Sequence, residues 1–161
     1  MKITLVNPLE VKDEIIVENK EKLEELGHEF EYYDSLAKDD DETLERLKDS
    51  DIAIITNKPL SANVIDNCKN LEMIDVAFTG VDHVDLDAVK KNGITLLNAS
   101  GYSDDSVAEL VIGLTIGVMR KFNENRENIF KGESYPLMGE TLKGKKIGVI
   151  GTGNIGIKLI E

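Results

Sequence analysis

Short apolar, β-rich runs alternate with helical stretches through the first part of this 161-residue chain, and that alternation constrains the fold most. The runs cover residues 2–6, 30–33, 51–56, 73–78 and 94–97. Between them lie four helical patterns. Residues 13–26 carry Ile16, Leu23 and Leu26 on one face, with Gly27 as a stop, and residues 41–48 pack through Leu44 and Leu47. Ser61 is placed to cap a helix reaching Cys68, and residues 86–91 end near Gly93. Parallel strands need a crossover, usually helical, so the pattern predicts an α/β domain with a mainly parallel sheet. The alternation alone fits a flavodoxin-like or a receiver-like domain. A receiver needs clustered carboxylates near the end of its first strand, where this chain has Asn7-Pro8-Leu9.

After Asn98 the pattern changes. A long apolar helix is expected over residues 104–121, with Gly113 and Gly117 inside it, suited either to a buried connecting role or to a subunit contact. Residues 123–140 read as a polar loop, and residues 146–150 as a new apolar strand. The segment Gly151-Thr152-Gly153-Asn154-Ile155-Gly156 follows at once. Glycines at this spacing, between a strand and a helix, have three separable uses. The first permits a tight turn, the second lets backbone approach a pyrophosphate, and the third lets helix and strand pack closely. The acidic residue that distinguishes NAD from NADP lies about twenty positions beyond such a motif.

A second loop, Phe78-Thr79-Gly80-Val81-Asp82-His83, follows a strand expected at the middle of the sheet. Loops at strand carboxyl ends are where open α/β sheets bind ligands. Gly80 could let an anion approach backbone N–H groups and Thr79 could offer a hydroxyl, while Asp82 and Asp85 are equally suited to capping a turn. Neither His28, after the first helix, nor His83 has a carboxylate evidently placed to orient it as an acid–base group. One cysteine and two separated histidines make a zinc site improbable, and no nucleophilic triad is visible.

Charge narrows the partners. Residues 10–51 hold seventeen acidic and six basic side chains, against a net of −12 for the whole chain, so a solvated acidic surface is expected there. Nucleic acid is excluded as a partner on this ground, because phosphate binding needs a basic surface. The lone Cys68 suits a reducing compartment, and the apolar stretch 107–119 is too short to span a bilayer. A cytoplasmic protein without a membrane partner is expected.

Three segments together resemble the D-isomer-specific 2-hydroxyacid dehydrogenase family: FTGVDHVDLDAVKKNGITLLNASG from Phe78, VAELVIGLTIGVMR from Val107, and LKGKKIGVIGTGNIG from Leu142. The resemblance implies a flavodoxin-like, parallel-sheet substrate domain over residues 1–99. An interdomain helix and the first β-turn-α of a Rossmann domain would then occupy residues 100–161. It implies NAD as cofactor, hydride transfer at C2 of a small 2-hydroxy or 2-oxo acid, and a homodimer. Thr79, Gly80 and Val81 would meet the substrate carboxylate. Ser106 would approach the nicotinamide side, and Gly151, Gly153, Asn154, Ile155 and Gly156 would hold the diphosphate. The arginine, glutamate and histidine that such enzymes use in catalysis would lie beyond residue 161, so no catalytic residue is assigned within this chain. The 161 residues are therefore expected to be an incomplete and inactive portion. The alternative is a naturally short, non-catalytic binding module derived from the same fold.

Overall fold

A computed structural model describes all 161 residues, which divide into two compact units, Met1–Ser100 and Gly101–Glu161. The first is a five-stranded, wholly parallel sheet in the order β2-β1-β3-β4-β5. Its strands are β1 (Lys2–Leu5), β2 (Glu29–Tyr32), β3 (Ile52–Ile55), β4 (Met73–Val76) and β5 (Thr95–Asn98). The crossovers are α1 (Asp13–Glu25), α2 (Asp40–Leu47), α3 (Ala62–Asn67) and α4 (Leu86–Asn92). This is a flavodoxin-like, doubly wound topology, as the alternation predicts.

Alternation along each strand sorts side chains to two unequal faces. One face joins Val6, Ala53, Ile55, Ile74 and Val76 to Leu47, Val64, Ile65, Ala88 and Val89 of α2, α3 and α4. The other joins Ile3, Leu5 and Phe30 to Ile16 and Leu23, which α1 leaves only half-buried. Leu26, expected on that packed face, is instead 73% exposed. It sits past the last turn as the C-cap, where the chain leaves the helical path before Gly27 at φ +82°.

Helix ends follow side-chain chemistry. Asp39 accepts from Glu42 N–H at 2.9 Å, Ser61 from Val64 N–H at 3.4 Å and Asp85 from Ala88 N–H at 2.9 Å, each satisfying an orphan donor of a first turn. The hydrogen bond from Arg46 to the end of β1 had no counterpart in the sequence pattern. Arg46 is only 6% exposed and its Nη1 donates to Val6 O at 2.7 Å and Ser35 O at 2.6 Å. Its Nη2 meets Glu42 Oε1 at 2.5 Å, and the guanidinium lies 4.4 Å from the centroid of Tyr33. One side chain thus ties the exits of β1 and β2 to α2.

The second unit contains α5 (Asp104–Met119), α6 (Phe122–Phe130) and α7 (Asn154–Ile160). The segment expected to be a polar loop holds α6, whose start at Lys121 adopts a left-handed conformation. Its polar sequence, FNENRENIF, contains no helix-breaking residue, so polarity was a poor guide to loop structure there. Residues 146–150 do not form the expected strand. A strand is defined by its ladder, none of the five strands pairs with this run, and Ile147 and Ile150 are exposed. Of α5 only Ala108 is buried. No helix is long and apolar enough to cross a membrane.

Truncating Arg46 leaves two carbonyls without a donor. Arg46→Ala is expected to lower unfolding free energy by about 2–3 kcal/mol, because Glu42 is partly exposed and regains water while Val6 O does not. Urea titration followed by far-UV circular dichroism measures this, and a loss below about 0.5 kcal/mol refutes the tie.

Candidate functional site

The loop after β4 is shaped by its neighbours as well as by a turn of its own, in which Val84 N–H donates to Val81 O at 3.0 Å. Ala77 N–H still donates to Ile55 O at 2.9 Å, extending the β3–β4 ladder by one step. Beyond it, Leu60 and Val84 form an isolated parallel bridge, with Leu60 N–H donating to His83 O at 2.9 Å and Asp85 N–H to Leu60 O at 3.1 Å. From the other side Asn98 Nδ2 donates to Thr79 O at 2.6 Å, and Ala99 N–H donates to Phe78 O at 3.2 Å. Residues 79–81 are therefore clamped at both margins. Sequence reasoning overlooked Asn98, although an amide at the exit of a strand adjacent to a ligand loop was a usable signal.

Within that clamp the Gly80 and Val81 N–H groups donate to no other group of the chain. Gly80 is exposed, and a Cβ built on it would meet nothing nearer than Asp82 Oδ2 at 3.9 Å. Neither backbone conformation nor packing demands glycine there. Two unpaired amides over open space, at the carboxyl edge of a parallel sheet, can receive a small anion.

Only one of the two histidines belongs to this loop. His28 Nδ1 is 3.5 Å from the N-terminal ammonium. His83 is half-buried, and its Nε2 is enclosed without a hydrogen-bond partner. Asp85 caps α4, the structural role its spacing allowed. Burial pushes the Cys68 thiol up to about 11, leaving it protonated and inert. No group of three or more His, Cys, Asp or Glu side chains could hold a metal ion.

In the second unit the glycine turn separates into constrained and unconstrained positions. Gly151 has φ +94°, and a Cβ on Gly156 would lie 2.3 Å from Gly151 O, so the turn's own geometry requires glycine at both. A Cβ built on Gly153 would meet nothing within 4 Å. Gly153 starts α7, and Ile157 N–H returns to its carbonyl at 2.9 Å. The N–H groups of Asn154 and Ile155 thus belong to the open first turn. Ser106 lies in the first turn of α5 with its hydroxyl donating to Ser103 O at 3.0 Å. Lys158 of α7 forms an exposed ion pair with Asp105 of α5 at 3.1 Å, next to Ser106 in sequence. That hydrogen bond raises the lysine above its usual range.

A doubly wound α/β unit with an anion-ready loop, joined in sequence to an open glycine turn, defines a class of chain rather than one protein. Residues 11–156 match the family described as D-isomer specific 2-hydroxyacid dehydrogenase, catalytic domain, and the chain belongs to that family. It is 34% identical over 164 residues to a D-3-phosphoglycerate dehydrogenase of Methanocaldococcus jannaschii, covering 100% of this chain and 30% of that protein. Among solved structures, an acyclic imino acid reductase in complex with NADPH and D-Arg has a TM-score of 0.85 at 30% identity. That match covers 99% of this chain and 51% of the other. An NAD-dependent formate dehydrogenase from Staphylococcus aureus in complex with NAD gives 0.83 at 28%, covering 99% and 52%. The chain spans between about a fifth and a half of the length of the curated relatives it matches.

The raised Cys68 pKa carries a sign for stability. A thiol held above its ordinary value of 9.0 contributes fully below that value, and the contribution is lost as pH rises towards about 11. Folded protein is therefore expected to resist iodoacetamide at pH 8 and to react after urea unfolding. Stoichiometric labelling of native protein, read by intact mass, contradicts the enclosed thiol.

Proposed function

We propose that this chain is the amino-terminal part of an NAD-dependent oxidoreductase that interconverts a D-2-hydroxy acid and its 2-oxo acid by hydride transfer at C2. The observation that carries the reading is the position of Gly80 and Gly153, two glycines that the chain's own packing does not require, each beside backbone N–H groups that donate to no other group of the chain. Each stands in the unit where a ligand needs room. Residues 1–99 act as the substrate domain, and residues 100–161 contribute the beginning of the nucleotide domain.

In this reading the Gly80 and Val81 N–H groups donate to the substrate carboxylate, with Thr79 beside them. Asn98 holds the loop at the Thr79 carbonyl, so those amides are set before substrate arrives and little ordering cost remains on binding. The open space at Gly153 fits a diphosphate approaching backbone, and the Asn154 and Ile155 N–H groups at the start of α7 donate to it. Gly151 and Gly156 give the turn its shape, and Ser106 borders the nicotinamide. Bound there, NAD supplies or accepts the hydride. A carbonyl reduced at C2 also needs a proton donor and a cation to polarise it. By resemblance to the family, the histidine, its orienting glutamate and the arginine that serve these roles lie beyond residue 161. The apolar face of α5 around Ile112, Ile116 and Met119, of which Ile112 and Ile116 are exposed, serves as a homodimer contact.

NADH oxidation measured across a panel of 2-oxo acids tests the reading. The product of the uninterrupted gene is expected to turn over, and residues 1–161 purified alone are not. In the whole protein Gly153→Val should raise the KM for NADH by roughly ten- to a hundredfold while leaving the KM for the 2-oxo acid little changed. Absence of turnover by the whole protein with every 2-oxo acid and either nicotinamide cofactor sinks the proposal.

A further inference from the structure

The two faces of the sheet are unequally covered. Residues of α2, α3 and α4 pack on one face, against Val6, Ala53, Ile55, Ile74 and Val76. The opposite face is served by α1 alone, whose Ile16 and Leu23 cluster with Ile3, Leu5 and Phe30 and reach Ile52 and Ile54 only at the margin. Strand register carries that face further. Ile52 pairs with Met73 and Met73 with Thr95, while Ile54 pairs with Asp75 and Asp75 with Leu97. Met73 and Leu97 belong to neither apolar cluster, and Leu97 is 49% exposed. Beside the strip, an apolar cavity of about 340 Å³ opens between α1 and Ile54, lined also by Leu9, Val11, Ile15 and Phe30.

A parallel sheet is stable with both faces covered. The bare strip runs from β3 to β5, two strand spacings or ~10 Å, which is the width of one helix. At its centre stands a charge. Asp75 is half-buried between Ile54 and Leu97, and no cation or hydrogen-bond donor of the chain reaches its carboxylate. Water serves it while the strip is open. A cover removes that water, so whatever covers the strip has to bring a partner for the carboxylate.

The same charge decides between occupants. Pairing the strip with its counterpart on a second copy brings two unneutralised carboxylates into one apolar interface. A segment of the protein itself can carry the matching cation, and a protein as long as the relatives has ample chain outside these 161 residues for one more helix.

We propose that a helix from the part of the protein beyond Glu161 docks on this strip, apolar towards Ile54, Met73 and Leu97, and sets a lysine or arginine against Asp75. The inference rests on the reading of this chain as the amino-terminal part of a longer protein.

Leu97→Cys places a thiol on the strip, and Thr95→Cys, exposed on the same face, is a second reporter should the first not fold. The protein made from the uninterrupted gene is treated with iodoacetamide, and peptide mass mapping separates the introduced thiol from Cys68. It is expected to label roughly a hundredfold more slowly than in urea, at a rate that dilution does not change. Asp75→Asn should speed labelling by roughly tenfold or more, and Asp75→Glu should keep most of the protection. Labelling as fast as in urea shows the strip bare and overturns the inference. Protection that falls on dilution assigns the cover to a second copy, and protection indifferent to Asp75→Asn removes the ion pair. Either result overturns it as well, and a gene product ending at Glu161 leaves no occupant. These readouts need no turnover, so a failure here is told apart from a failure of the dehydrogenase reading, which shows as absent NADH oxidation.

Discussion

Because all five strands run parallel, every strand exit lies on one edge of the sheet and every return passes over a face. Asn7, the Thr79–Val81 loop and Asn98 come from distant parts of the sequence, yet this constraint delivers them all to the same rim. Their alignment is then refined by hydrogen bonds outside the ladder. Arg46 gathers the exits of β1 and β2, the Leu60–Val84 bridge joins those of β3 and β4, and Asn98 joins those of β4 and β5. A rim made only of free loops would have to order on binding. One held at three places presents its donors already in position.

The periodic features of the sequence carried the fold well because each is a local expression of a nonlocal requirement. Apolar β-branched runs mark buried parallel strands, and Ser61 and Asp85 mark helix starts through side-chain hydrogen bonds formed within a few residues. The errors fell where local sequence does not decide. Residues 146–150 have a strand's composition, but a strand also needs a neighbour. The segment read as a polar loop forms α6, since polar residues tolerate helix when nothing breaks it. Arg46 was invisible because an arginine in an acidic helix ordinarily points to water. Its burial depends on carbonyls at Val6 and Ser35, the first of them forty residues away.

The glycines show how structure adds to what a motif can say. In sequence, Gly151, Gly153 and Gly156 are equivalent letters of one pattern. In three dimensions Gly151 is demanded by its φ and Gly156 by a carbonyl 2.3 Å from where its Cβ would be, whereas Gly153 faces empty space. The same sorting applies to Gly80. A glycine that the fold needs says nothing about ligands, because its replacement would be strained in any case. A glycine that the fold does not need, set among unpaired N–H groups, points to a group outside the chain. That distinction was beyond the sequence, which shows spacing but not space.

The proposed anionic ligand must also reach a chain of net charge −12, and the placement of the acid is compatible with that. The carboxylates of residues 10–51 lie mostly on the outer faces of α1 and α2. Several are paired there: Glu18 with Lys22, Glu24 with Lys20, Glu45 with Lys48. Water and salt screen such exposed charges within about 8–10 Å at ordinary ionic strength. Amide donors at hydrogen-bond distance act inside that length, on a ligand that has shed part of its water. The Lys2 ammonium is neutralised by Glu31, whose carboxyl it holds below the ordinary range, so the amino edge of the sheet offers no competing anion site there. The unpaired donors are left at the carboxyl edge. Net charge therefore governs solubility and the approach of distant partners, while in the proposed reading recognition falls to the few N–H groups that the sheet has left without acceptors.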